Sequence, residues 1–248
     1  MLTPKEEKIL HALEQQSERF ETPLRVISLP SFGEVYIKDE SVNPTGTHKD
    51  RMAYEVLNVY KHCLRTKKNN PSPLALPHLS VLSSGAAAIA IQTALKKYEL
   101  PHLKVLIDEH TRSPIVSQLR KIGCEVHTTL FDSKALSGEE ILHLTNNKNG
   151  IDITSCGAFD PSSTFYRSLV EEVLHSNISF DFIFMPFGSG HLYETFMNLS
   201  KEKSTMHRWL SSCNFIGAEI KNPSSRAHQL FSPFRPFGNY SGQWQRMF

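Results

Sequence analysis

The chain has 248 residues, with 27 Lys plus Arg against 25 Asp plus Glu, a net charge of +2, and both signs spread along its length. That length buries a sizeable core in one large domain or two small lobes, and the balanced charge excludes the basic footprint of a nucleic-acid binder. No run of residues is long and apolar enough for a membrane span, and the opening MLTPKEEKILHALEQQ is amphipathic and charged, so neither a membrane protein nor an exported one is expected.

In chain order, Ile9, Leu10, Leu13 and Phe20 recur at helical spacing after a Thr3-Pro4 start, which predicts an amphipathic helix between Thr3 and Phe20. Two short extended runs, Leu24 to Leu29 and Glu34 to Lys38, flank the turn-rich Pro30-Ser31-Phe32-Gly33 and predict a hairpin. A long helical pattern runs from about Asp50 to Arg65 with Met52, Val56, Val59, Tyr60 and Cys63 on one face. Extended and helical patterns then alternate: His78 to Leu82, Ala86 to Tyr98, Leu103 to Ile107, Ser113 to Ile122, Cys124 to Thr129 and Ser137 to Thr145. This alternation predicts parallel βαβ units. A second series follows Ile151, with a helix from Ser162 to His175, the run Phe180 to Met185, a helix from about Leu192 to Lys201 and a strand from Asn214 to Glu219. The turn formers Asn146 to Gly150 mark the expected break between two α/β lobes.

Cys63, Cys124, Cys156 and Cys213 lie far apart without a CxxC pair, which suits free thiols in a reducing, cytoplasmic setting. The twelve histidines show no HExxH or other tight ligand spacing, so no metal site is expected.

Three segments stand where a strand or turn gives way to a helix, the place where ligands collect in open parallel α/β sheets. In Asn43-Pro44-Thr45-Gly46-Thr47-His48-Lys49-Asp50-Arg51, Pro44 and Gly46 set a turn and Lys49 falls at a helix start. The positive end of the helix disfavours a second positive charge there and so favours a nucleophilic amine. A solvated lysine is the plainer alternative for that residue alone. In Ser83-Ser84-Gly85-Ala86-Ala87-Ala88, two hydroxyls and a glycine precede an alanine-rich helix, suited to a carboxylate or, more simply, to a serine cap. In Phe187-Gly188-Ser189-Gly190-His191-Leu192, a glycine-bearing turn opens a helix in the arrangement that directs backbone N–H groups onto a phosphate. It is neither a Walker A loop nor a GxGxxG fingerprint, so a nucleotide site is not favoured. Together, an amine nucleophile, a carboxylate anchor and a phosphate cradle are what pyridoxal 5'-phosphate chemistry on an amino acid requires.

The order Thr22-Pro23-Leu24, Tyr36-Ile37-Lys38-Asp39-Glu40, Asn43 to Arg51, Ser83-Ser84-Gly85, Gly188-Ser189-Gly190 and Ile216-Gly217-Ala218-Glu219 resembles the fold-type II pyridoxal-phosphate enzymes. Threonine synthase looks like the nearest branch, with cysteine synthase and threonine dehydratase as relatives. The resemblance implies a two-lobed, three-layer αβα fold with mostly parallel sheets, like that of the tryptophan synthase β chain, shortened at the C-terminus. It places residues 1–48 and 150–248 in a larger cofactor-phosphate lobe and 49–149 in a smaller lobe with the carboxylate loop. By carry-over, Lys49 is the catalytic Schiff-base lysine; Gly188, Ser189, Gly190, His191 and Leu192 hold the cofactor phosphate; Ser83, Ser84, Gly85 and Ala87 receive the substrate carboxylate. The implied activity is a lyase or synthase reaction on an amino acid, by β-elimination or β/γ-replacement, in a homodimer.

Three departures accompany it. Ala86 stands where the family usually has an asparagine against the cofactor's ring hydroxyl, and its side chain cannot hydrogen-bond there. His191 stands where glycine is usual, and no segment after Glu219 matches the family's later part. These keep a second reading open, a catalytically impaired protein of the same fold with a binding or regulatory role.

Overall fold

The computed structural model describes residues 1–16, 21–31, 33–70, 75–83, 85–130, 136–154, 165–187, 190–203 and 208–218. Ser84, Gly188 and Ser189, three of the expected site residues, lie outside the described residues.

Helix α1, Pro4–Glu14, begins in a capping box in which the Thr3 hydroxyl and the Glu6 carboxylate satisfy each other's backbone N–H groups. Strands β1 (Leu24–Leu29) and β2 (Gly33–Lys38) form the expected antiparallel hairpin, with Val26 opposite Tyr36. A short 3-10 turn, Glu40–Val42, then leads to helix α2, Lys49–Asn69, which starts one residue before the apolar pattern does.

The next segments alternate as the sequence suggests: β3 (Leu79–Leu82), α3 (Ala86–Lys97), β4 (Lys104–Asp108), α4 (Ser113–Ile122), β5 (Glu125–Thr129), α5 (Gly138–Leu144) and β6 (Ile151–Asp152). All four residues of β3 are buried, as a central parallel strand requires. Helix α4 ends at Gly123 in the left-handed region at φ +103°, where glycine pays no Cβ penalty. The strands form one parallel sheet in the order β5-β4-β3-β6.

Helix α6, Arg167–Leu174, is followed by β7 (Phe182–Pro186), α7 (His191–Lys203) and β8 (Asn214–Ala218), with β7 and β8 paired in parallel. The helix expected from Ser162 starts later among the described residues, because Phe165 and Tyr166 precede its first turn and put both rings wholly into the core. One apolar cluster joins Leu10 of α1, Val56 and Tyr60 of α2, Ile91 of α3, Val105 of β4, Val170 of α6 and Phe196 of α7. Each such side chain, fully buried, contributes roughly 1.5–3 kcal/mol, so the helix starts that carry the candidate loops are fixed by a continuous core. None of the described helices is long and apolar enough to cross a membrane.

Candidate functional site

Every residue of the Asn43–Asp50 turn that can hydrogen-bond locally helps to shape it. The Asn43 amide donates to Glu40 Oε2 at 2.7 Å and to the Thr47 carbonyl at 3.1 Å. Gly46 takes φ +76° and donates its N–H to the Asn43 carbonyl at 2.8 Å, a turn that a Cβ would strain. The Asp50 carboxylate reaches back to the Thr45 N–H at 3.0 Å and hydroxyl at 2.7 Å, and the Thr47 hydroxyl accepts the Lys49 N–H at 3.2 Å. Lys49 is therefore delivered as the first residue of α2 with its backbone direction set. Its side chain is partly buried, and Nζ donates to Tyr166 Oη at 2.9 Å while lying 5.4 Å from the Tyr166 ring centre.

Two residues on, Arg51 is 1 % exposed, an unusual fate for a charged side chain. It donates to both oxygens of Glu40, at 2.9 and 3.0 Å, to both oxygens of Glu172, and to the hydroxyls of Thr22 at 3.0 Å and Ser168 at 3.3 Å. Lys38 Nζ adds a second contact to Glu172 at 2.6 Å. Two cations and two carboxylates thus close a neutral cluster that ties the hairpin, the first turn of α2 and α6 together. Burial alone would push the Glu40 and Glu172 carboxyls up; the hydrogen bonds and charge of Arg51, helped by Thr22 at Glu40 and Lys38 at Glu172, outweigh it and hold both below the usual range. Burial works against the Arg51 guanidinium as well, and the two carboxylates reverse it and raise its pKa.

His48, beside the lysine, stacks at a tilt on Tyr166 with ring centres 5.5 Å apart. Burial, and then the neighbouring Lys49 charge, lower its pKa to about 4. Protons therefore bind the unfolded histidine in preference between its ordinary 6.5 and 4, and stability is lost as pH falls through that window. Because the ring keeps some contact with water, the loss between pH 7 and pH 5 is about 1–2 kcal/mol. Urea unfolding of wild type and His48→Gln at the two pH values checks this: the variant should lose less stability on acidification, and equal losses would show the ring to be a bystander.

The other two segments are less alike than their sequences suggest. Ser83, 7 % exposed, uses its hydroxyl to accept the N–H groups of Gly85 at 3.1 Å and Ala88 at 3.4 Å, so it caps α3 from two residues upstream. Gly85 has φ +133°, a conformation that favours glycine, and a Cβ there would also crowd Ile115 Cγ2 at 3.1 Å. Ala86 is exposed at the first position of α3 and Ala87 is partly buried. At the start of α7, Gly190 takes φ +84°, and His191 and Leu192 are buried; the His191 ring meets Phe165 edge-on at 6.0 Å.

A cavity of about 650 Å³ opens between β2 and β7, with His48 from the lysine turn and Leu192 from the start of α7 both in its wall, together with Lys38 and Glu40. Lys49 is not in that wall; its amine turns aside to Tyr166. Ser83, Gly85, Ala86 and Ala87 do not line it either. The structure thus brings the lysine turn and the α7 start to one space. Its contacts to Lys49 also involve Tyr166, and its rigidity involves Glu172, two residues that sequence reasoning did not single out. Both partners lie more than a hundred positions downstream of the lysine turn, and no local motif marks them.

Parallel sheets with helix starts gathered beside a cavity are a ligand-binding α/β enzyme architecture. Diaminopropionate ammonia lyase from Escherichia coli, in apo form, superposes with a TM-score of 0.63 at 11% identity, over 92% of this chain and 67% of that one. Threonine deaminase isoform 2 from Solanum lycopersicum gives 0.53 at 17% identity, over 94% and 61%. A hydrogen sulfide-producing enzyme from Fusobacterium nucleatum gives 0.57 at 18%, over 93% and 70%. The chain therefore spans about two thirds of the length of these structures. No curated protein sequence matches it. Residues 17–233 match the family described as "Pyridoxal-phosphate dependent enzyme", and the chain belongs to that family. Its fold is the α/β fold of fold type II, and pyridoxal 5'-phosphate is its cofactor. The residues present suit that group: an aldehyde needs a primary amine and a phosphate suits a helix start; the cavity meets the start of α7 at Leu192 and the lysine turn at His48, with the Lys49 amine one residue on and turned to Tyr166.

Proposed function

We propose that the protein is a lyase or synthase acting on an amino acid by β-elimination or β/γ-replacement, in the manner of threonine synthase, with Lys49 as the residue that bonds to the cofactor. The observation that carries this reading is the partly buried Lys49 at the start of α2, placed there by the Asn43–Asp50 turn whose His48 lines the cavity, with its amine hydrogen-bonded to Tyr166. Lys49 would then take and return protons at the substrate's α and β carbons. Gly188, Ser189, Gly190, His191 and Leu192 would hold the cofactor phosphate, with Ala86 beside the ring; Ser83, Ser84, Gly85 and Ala87 would receive the substrate carboxylate. When bound, the cofactor supplies the electron sink for bonds broken at the α carbon. Residues 1–48 with 150–248, and 49–149, would form the two lobes of a cytoplasmic homodimer.

The test is a titration with pyridoxal phosphate, followed by turnover of O-phosphohomoserine, serine, threonine, O-acetylserine and 2,3-diaminopropionate. The last is added because a structural neighbour is a diaminopropionate ammonia lyase. A visible absorption band with release of keto acid, ammonia or a product amino acid supports the reading. A band without turnover on any of them would favour the impaired protein, which the apolar, exposed Ala86 and the buried His191 at the two helix starts also fit.

A further inference from the structure

Tyr166 is 0 % exposed, stands immediately before the first turn of α6, and packs edge-on against Phe165 at 6.5 Å and at a tilt against His48 at 5.5 Å. Its hydroxyl accepts a hydrogen bond from Lys49 Nζ at 2.9 Å. A phenol that accepts still has its own O–H to donate, and a buried O–H is costly to leave without an acceptor. Among the described residues the Tyr166 hydroxyl has one hydrogen bond, the one it accepts from Lys49. The Tyr166 hydroxyl is also fixed relative to the amine from outside, since Arg51 of α2 grips Ser168 and Glu172 of α6, the helix that Tyr166 opens.

The chemistry of the cofactor says where such a donor is wanted. Pyridoxal phosphate carries a ring hydroxyl on the carbon next to the one bearing the aldehyde. Whatever nitrogen bonds to that aldehyde therefore has the ring oxygen as its neighbour. If that nitrogen is Lys49 Nζ, Tyr166 Oη is the hydroxyl that the structure already holds beside it. The exposed Ala86, at the start of α3, has no polar side chain to offer in its place.

We infer that Tyr166 is a cofactor-positioning residue, whose phenol steadies the Lys49 amine and donates its own O–H to the cofactor's ring oxygen. The inference rests on the reading of Lys49 given above. A donor to that oxygen favours its ionised form, which absorbs in the visible; loss of the donor favours the neutral form, which absorbs in the near ultraviolet.

Tyr166→Phe keeps the ring and its contacts, and its thermal unfolding midpoint verifies that the fold is retained. Loaded with pyridoxal phosphate, the variant should bind the cofactor about tenfold more weakly, as expected for one hydrogen bond to a charged group, and should move absorbance from the visible band to the near-ultraviolet one. A fluorinated tyrosine at 166, a stronger donor of nearly the same shape, should move it the other way, and this arm remains decisive should Tyr166→Phe fold poorly. If both variants give the wild-type spectrum and affinity while the band still disappears in Lys49→Ala, the role assigned to Tyr166 is wrong and Lys49 stands. If the wild-type band survives in Lys49→Ala, the reading of Lys49 fails and this inference falls with it.

Discussion

Arg51→Ala should lower the free energy of unfolding by about 3–5 kcal/mol, the range for breaking a buried ion pair from one side. The substitution strands two carboxylates, Glu40 and Glu172, with only Lys38 to offset them, and the lysine reaches only Glu172. Part of the loss is the unpaid desolvation of Glu40, whose remaining partners are the Thr22 hydroxyl and the Asn43 amide. The sign of the pH dependence follows from the carboxyls. In the native protein both are held below their ordinary value, so they contribute stability above about pH 4.5 that is lost as pH falls through their folded values. The gap between wild type and variant should be widest near neutrality and should narrow towards pH 4. Denaturant titrations across that range measure it, and a gap that does not change with pH would mean that Arg51 matters for its packing rather than its charge.

Lys49→Ala should behave in the opposite way, with little effect on stability and complete loss of the visible cofactor band and of any turnover. The stability cost is confined to the contacts of Nζ with Tyr166, a hydrogen bond to its buried hydroxyl and a cation–ring contact, together worth about 1–2 kcal/mol. The amine, by contrast, has no substitute: among the described residues, the other lysine reaching this region, Lys38, is committed to Glu172 and to the Thr22 carbonyl. Absorption spectroscopy of the loaded variant, set beside its unfolding curve, separates the two effects. A normal band in Lys49→Ala would move the reactive amine elsewhere in the chain.

These contrasts mark how far the sequence could be read. Helix starts and turns were legible because their causes are local: Thr3 with Glu6, Gly123 after α4, Gly46 in the lysine turn. The central strands β3 and β4 were legible because parallel strands buried on both faces are largely apolar runs, whereas β5, EVHTT at the sheet edge, is only partly buried. Lys49 could be picked out by its turn, and Ser83 by its place before a glycine. What escaped was the partnership. Arg51 stood in the quoted motif without a role, because the carboxylates that explain it are 11 and 121 residues away. Tyr166 falls within the expected helix from Ser162 to His175 without a role of its own, since nothing near it in sequence says that its hydroxyl meets an amine 117 residues back.

The buried charge cluster also bears on the order in which the chain acquires its parts. Thr22, Lys38 and Arg51 are all made early in synthesis, yet Glu172, the partner they share, emerges more than a hundred residues later. Contacts of such span form late, because loop closure must precede any reward. Before α6 is made, the lysine turn has Arg51 paired with Glu40 and Thr22 but not with Glu172, and the Lys49 amine without Tyr166, and the four-stranded sheet must hold the growing chain together in the meantime. Docking of α6 is thus the assembly step that completes the charge cluster around Arg51 and brings Tyr166 to Lys49.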